Sequence, residues 1–304
     1  MPDSLQAFII IFLIGVLLRS SSLLTKAHAN RLARFVFCVS LPATIMISLD
    51  RIPFTAAIWK LPAAACLVTL PLLLISWVIA RLLDLPRPTQ GGFLLATGLI
   101  NSLYFSYPVI LATFGEAGLA HAVMFDLGQT VLTLTVLYGL ALRHGTSSSP
   151  ARPFAVRFLS APPLWGLCGI LALKAGGLGL PVWLHGVLAP IHWTTTPLAS
   201  LVLGLSISVA TVGRNVGLAI LGVAVRMGGG LLLGLAAAWL LHLEGLQRTV
   251  VILVAAMPSA VNAVIYAAEA ELDEEIVTSV VALSILLGIV LLPFLPRLAQ
   301  YLVT

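Results

Sequence analysis

Long apolar stretches alternate with short polar interruptions along the whole chain. Cutting at charges, prolines and glycine clusters leaves ten segments, at 5–24, 34–49, 58–82, 91–113, 118–142, 154–174, 190–211, 216–243, 247–268 and 274–303. Runs this long, rich in Leu and Ala and lacking the period-two alternation of barrel strands, read as helices. A helix needs roughly 20 residues to cross a bilayer, and lipid leaves no partner for an open backbone, so helices and closed barrels are the only spanning structures. The expected fold class is an all-α integral membrane protein with ten transmembrane helices in contact with the lipid bilayer.

Composition strengthens this and removes several classes of function. Of 304 residues, 60% are apolar and 9% charged, against about 25% charged in a soluble domain, and mean hydropathy is +1.10. Ten spans leave no room for a large catalytic or regulatory domain outside the membrane. The net charge of +5 comes from 16 Lys and Arg scattered over loops, with no basic face for nucleic acid. No Lys or Arg precedes Arg19 and no small-residue cleavage pattern follows the first run, so Leu5–Leu18 reads as part of a span and not as a removable signal. Cys38, Cys66 and Cys168 sit in apolar segments without CxxC spacing, supporting neither a disulfide framework nor a zinc site. Nucleotide, metalloprotease and serine-elbow motifs are missing, and His28, His121, His144, His185, His192 and His242 are dispersed, mostly near expected loops, with no His/carboxylate cluster. No cofactor and no metal is expected.

The polar stretch 143–153 lies at the midpoint and separates a first five-helix repeat, 1–142, from a second, 154–304. Five spans in each half force the halves into opposite orientations, an inverted repeat. Pro42 and Pro197, 155 residues apart, and Pro108 and Pro258, 150 apart, fall in corresponding spans. Eleven of the 16 Lys and Arg fall in loops on one side; by the positive-inside rule that side is cytoplasmic, with the 143–153 linker, and both termini are periplasmic. The location expected is the cell's inner (plasma) membrane.

Candidate chemistry lies in the interrupted spans. Pro108 in the fourth lacks an N–H, and its ring presses on the carbonyl of Tyr104, so the helix is expected to kink or break there. Asn101, Ser102 and Tyr107 lie beside it, and Pro258, Ser259 and Asn262 repeat the ingredients in the ninth span. Matched interruptions in corresponding spans point to a transporter site, where half-helix N–H groups attract an anion and the amides both donate and accept. A kinking proline or lone Asn often serves only helix packing; the matched pair favours the site. Asp126, read as the one carboxylate well inside a span, and Gln129 are assigned to a polar cavity where Asp126 exchanges H⁺, binds Na⁺ or merely makes a structural hydrogen bond. For Arg226 two roles stand open, pairing with an anion or Asp126 and snorkelling to the inner interface.

The stretches Gly15–Arg19 and Arg31–Ala43, Asn101–Pro108, Phe114–Leu119, Phe125–Gly128, Pro197–Ala199 with Leu203–Gly204, and Ala256–Ala263 resemble the auxin efflux carrier family, which includes bacterial organic-acid permeases and the plant PIN transporters. The resemblance covers nearly the whole chain. It implies two inverted five-helix repeats with broken fourth and ninth helices crossing at their prolines. It also implies a scaffold of spans 1, 2, 6 and 7, an elevator-like transport domain of spans 3–5 and 8–10, and a homodimer. Leu103 and Ser106 replace the family's glycines before the crossover proline, and Ala161-Pro162 its Asn-Pro. The expectation is a secondary transporter of a small organic anion and not an enzyme; a membrane sensor on a transporter fold and an intramembrane enzyme are the alternatives.

Overall fold

The computed structural model describes residues 3–53, 55–146, 156, 159, 161–206 and 215–294. Among them all regular structure is helical and no β-strand forms. Six stretches are long and apolar enough to cross a membrane: Asp3–Ser20, Ala27–Asp50, Ala56–Leu82, Ser102–His144, Val216–Leu240 and Glu274–Phe294, with shorter apolar helices at Pro162–Ala175 and Gly245–Ala255. Large apolar side chains, among them Leu17, Leu74, Trp193, Trp239 and Val290, stand on the outside, as lipid-facing surfaces require. Most of the expected 143–153 linker lies outside the described residues.

Several helix limits differ from the sequence reading for local reasons. The second segment begins at Lys26, not 34, where the Thr25 N–H donates to His28 Nδ1 at 3.3 Å and caps the start. The seventh runs Val182–Ser206 with Pro190 and Pro197 inside it; each proline removes only one backbone bond, which neighbouring helices compensate. Glu274–Leu291 ends in a 3₁₀ turn, Leu292–Phe294. Wider π turns interrupt the helices at Val36–Ser40, Ser102–Ser106, Thr133–Leu137 and Ala224–Gly229.

The chain divides into two compact units. Unit 1 comprises 1–58, 103–123 and 153–208. Its helices Asp3–Ser20 and Val182–Ser206 pack backbone to backbone: a Cβ on Gly15 would lie 2.7 Å from Leu201 O, and one on Gly204 3.0 Å from the Gly15 Cα. Small residues allow this contact, which dispersion then stabilises. Leu5, Phe8, Phe12, Ile47 and Leu49 fill the core, with Phe8 edge-on to Phe105. Lys174 Nζ lies 3.2 Å from Asp50 Oδ1.

Unit 2 comprises 59–102, 124–152 and 209–304. Asp273 caps Glu274–Leu291 by accepting from the Ile276 N–H at 3.2 Å, and its other oxygen accepts from Thr89 Oγ1 at 2.8 Å. Gly128 lies directly against Pro62 O, bringing the helix that carries Asp126 and Gln129 onto Lys60–Leu82.

Candidate functional site

Unit 2 contains both helix breaks. The first, Arg87–Gly98, gives way to extended backbone at Leu99 before the π turn Ser102–Ser106. The second, Gly245–Ala255, stops before a non-helical stretch through Pro258, and Asn262–Ala270 resumes the helix. The two interruptions pair as a short antiparallel bridge with Ile100 opposite Ser259. The Asn101 N–H donates to Pro258 O at 2.9 Å, and the Ala260 N–H to Leu99 O at 3.1 Å. Each break therefore satisfies part of the backbone that the other exposes, as a non-aqueous environment demands.

The prolines play unequal parts in this. Pro258 lies in the bridge itself. The structure corrects the expectation that the fourth span breaks at Pro108: the break comes earlier, at Leu99–Asn101. The π turn then removes the clash, and Pro108 takes the second position of Tyr107–Leu132, where its missing N–H costs nothing. Tyr107 and Pro108 are buried in unit 1; Asn101, Ser102, Pro258, Ser259, Asn262, Asp126, Gln129 and Arg226 are all in unit 2.

A helix end leaves four carbonyls without intrahelical partners, and at the end of Arg87–Gly98 each has a donor. Ala96 O accepts from Ser259 Oγ at 2.5 Å, Thr97 O from Arg226 Nη1 at 3.0 Å, Gly98 O from Gln129 Nε2 at 3.0 Å, and Leu99 O from the Ala260 N–H. Gln129 is fixed in turn by Thr69 Oγ1, which donates to its Oε1 at 2.6 Å. Arg226 Nη2 donates to Ala255 O, the last carbonyl of Gly245–Ala255. One guanidinium thus bridges two helix C-termini, each carrying roughly half a negative charge. This is why a fully buried arginine is tolerated with its described hydrogen bonds going to the main chain and not to Asp126. The snorkelling alternative does not hold for a side chain at 0% exposure. Its Nε has no hydrogen-bond partner among the described residues. Gly230 provides the clearance: a Cβ there would lie 2.6 Å from Nη2.

The helix-start side of the crossover is dressed differently. Ser102 Oγ donates to Asp126 Oδ1 at 2.5 Å, tying the expected ion-coupling carboxylate to the turn that follows Asn101. Ser259 N–H donates to Ser284 Oγ at 3.1 Å. Asn101 is 2% exposed and Asn262 half-buried at the first position of its helix, whose N-cap, Val261, offers no side-chain acceptor. The first N–H groups of that helix are partly engaged, Ala263 N–H donating to Ala260 O at 3.0 Å and Val264 N–H to Val261 O at 3.2 Å.

Sequence reasoning missed a second polar cluster, in unit 1. Glu116 lies 2.7 Å from His192 in the interior of the helix packing. The dispersed histidines and carboxylates of the sequence thus meet in one pair, and the expectation that Asp126 is the one acid well inside a span is corrected. The expected segments leave 114–117 between 91–113 and 118–142, but helical structure continues to Leu132 past a single non-helical residue, Gly115. The available signal was Ser40, Thr44 and Ser48 at i, i+4 and i+8, a polar stripe on one face of an apolar helix.

A multi-pass helical membrane protein whose two interrupted helices pair across each other belongs, by architecture, among transporters. The chain is a member of the membrane transport protein family, the auxin efflux carriers, whose pattern matches residues 3–161 and 183–296. An uncharacterized transporter of Methanothermobacter thermautotrophicus is 29% identical over 294 residues, covering 96% of each chain. An uncharacterized transporter of Methanocaldococcus jannaschii is 26% identical over 288 residues, covering 91% of this chain and 92% of its own.

Proposed function

We propose that the protein is a secondary carrier that moves a small organic anion, carboxylate-bearing, across the inner membrane by alternating access, without enzymatic chemistry. The observation that carries the reading is the unequal dressing of the crossover. The carbonyl ends, which would repel an anion, are occupied by Arg226, Gln129 and Ser259, whereas Asn262–Ala270 begins without a side-chain cap and with an amide at its first position. A carboxylate would lie at the positive end of that helix dipole on the side-chain amides of Asn101 and Asn262, with Ser102 and Ser259 holding the backbone around them. Asp126 is the ion-coupling group, exchanging H⁺ or binding Na⁺ beside Ser102, with Gln129 positioning the helix end.

In the wider reading the chain forms two inverted five-helix repeats with both termini periplasmic. Spans 1, 2, 6 and 7 form a scaffold on which the rest moves as an elevator, and two copies form a homodimer. The helix breaks at 99–101 and 256–261 fall in one compact unit and the Asp3–Ser20 and Val182–Ser206 pair in the other, which supports that division for the breaks themselves, while 103–123 fall with the pair.

Purified protein in proteoliposomes, tested for uptake of a panel of radiolabelled mono- and dicarboxylates with and without H⁺ and Na⁺ gradients, decides the matter. Saturable uptake of at least one is expected. Saturable carboxylate binding without flux would make the protein a sensor, and uptake confined to cations or neutral solutes would refute the anion site.

A further inference from the structure

Unit 1 buries an acid against a base at the joint of a broken helix. Gly115 has φ 65° and ψ −163°, a conformation open essentially to glycine alone, and Glu116 follows it at the start of the next helical stretch. Glu116 Oε1 lies 2.7 Å from His192 Nε2, with the side chains 13% and 2% exposed, and Oε2 accepts from Ser48 Oγ at 3.1 Å. The far ring nitrogen, Nδ1, is 3.1 Å from Thr44 Oγ1. That hydroxyl is also 2.9 Å from Ser40 O and 2.7 Å from Thr195 Oγ1, and Thr195 Oγ1 is itself 3.3 Å from Ser40 O.

Counting protons through this network gives two complete arrangements. A threonine hydroxyl has one proton to donate. When Thr44 donates to Ser40 O, Nδ1 must carry a proton and donate to Thr44. The short Nε2–Oε1 contact then needs a proton of its own, as imidazolium with carboxylate or imidazole with carboxylic acid, and the pair is neutral overall. When Thr44 instead turns its hydroxyl to Nδ1, Thr195 still donates to Thr44 Oγ1 across their 2.7 Å contact, Ser40 O is left with its intrahelical bond, and Nε2 keeps the single ring proton and donates it to the Glu116 carboxylate. The pair then carries one negative charge. The two arrangements differ by one proton and one hydroxyl rotation, and in both of them every side chain–side chain contact of the network has a proton to share, so neither is penalised by a buried group left without a partner.

We propose that Glu116 and His192 form a proton-binding site that takes up and releases one proton as Thr44, backed by Thr195, rotates its hydroxyl. The released proton leaves by way of the Glu116 carboxylate, the more exposed of the two groups. The other charges that face it are few. Arg51, just past Leu41–Asp50, is the cation whose field reaches Glu116; Asp50 is held by Lys174 of Pro162–Ala175. Asp3 opens the helix whose Ser4 bonds to Ala112 O, one turn before Glu116. His121 on the same helix is turned to Ala117 O, His185 lies two turns before His192, and Arg34 and Arg31 precede Thr44 by 10 and 13 residues. The proposal stands whether or not the transported solute is an anion.

The test is ¹⁵N NMR of the full-length protein, ¹⁵N-labelled at histidine, in lipid nanodiscs from pH 4.5 to 9, with His192 assigned by its loss in His192→Gln. The expected result is a one-proton titration of His192 within that range. Its midpoint should move by more than one pH unit, over tenfold in proton affinity, in Glu116→Gln, which keeps the acceptor without the charge. Thr44→Val removes the rotor and should also displace the midpoint. A His192 signal that stays constant from pH 4.5 to 9, or a midpoint unmoved by both Glu116→Gln and Thr44→Val, overturns the proposal. Absence of solute flux would refute the carrier reading and leave this titration untouched.

Discussion

Ser259→Ala isolates the capping of the first half-helix with the least disturbance, because it deletes one oxygen from a fully buried side chain and opens almost no cavity. The lost bond, 2.5 Å to Ala96 O, is the partner that helix end provides for a carbonyl with no intrahelical N–H. An orphaned buried carbonyl costs about 1–3 kcal/mol, whereas a hydrogen bond between membrane helices contributes about 0.6 kcal/mol on average, because the reference state finds other partners. Inside the bridge no alternative donor is at hand, so the upper scale applies, equivalent to about 5- to 150-fold in the unfolding equilibrium. Ser200→Ala is the matched control. Ser200 is equally buried, and its Oγ donates to Thr196 O at 2.7 Å, but that carbonyl already takes the i+4 backbone N–H, so a change within about 0.5 kcal/mol is expected. Unfolding in mixed lipid–SDS micelles, followed by tryptophan fluorescence, reads both. If Ser259→Ala and Ser200→Ala lose the same amount, the carbonyl-capping argument is wrong.

Asn101→Ala and Asn262→Ala should each lose most carboxylate uptake while melting within a few degrees of the parent; normal uptake in both would refute the shared site. Asp126→Asn should abolish H⁺- or Na⁺-driven accumulation but leave counterflow exchange partly intact, and unchanged gradient-driven uptake would leave Asp126 a structural role only. Gly115→Ala should cost about 1–3 kcal/mol from its backbone conformation alone, since a Cβ there meets nothing within 4 Å; an unchanged unfolding midpoint would mean that the helix does not break there. A cysteine at Ser147, in a background without Cys38, Cys66 and Cys168, should react with an impermeant maleimide only in inside-out vesicles, and labelling of intact cells would reverse the assigned topology.

Most of the helical architecture and the membership of a transporter family were legible in the sequence, because apolar length and proline position are local properties. The pairing of Leu99–Asn101 with Pro258–Ala260 was half legible: two amides and two prolines in matched spans marked the right neighbourhood, but the break in the fourth span ends at Asn101, seven residues before Pro108. A π turn absorbs the ring's demand, and π turns leave no residue signature. Arg226 was the harder case. Its partners are backbone carbonyls of Thr97 and Ala255, and a backbone group has no letter in the sequence. Glu116 and His192 escaped for another reason: the sequence separation of 76 residues is closed only by helix packing, and Gly115, which reads as the end of a segment, is one non-helical residue between two helical stretches.

The buried charges also differ in what they can do, and the difference follows from their partners. Arg226 faces two helix ends that cannot titrate, on a side chain that keeps its proton, so its part is to fix the crossover. Asp126 accepts from the Ser102 hydroxyl, a neutral donor that provides no proton for exchange but bonds equally to a carboxylate or a carboxylic acid. Glu116 faces an imidazole, which ordinarily titrates between pH 5 and 8, backed by a hydroxyl free to turn. Charge that must stay is therefore held by the main chain, and charge that must change is held by side chains able to change with it. In the proposed carrier, Arg226 would hold the backbone crossing in place, and protonation would fall to carboxylates faced by side chains: Glu116 in unit 1 and, where H⁺ is the coupling ion, Asp126 in unit 2.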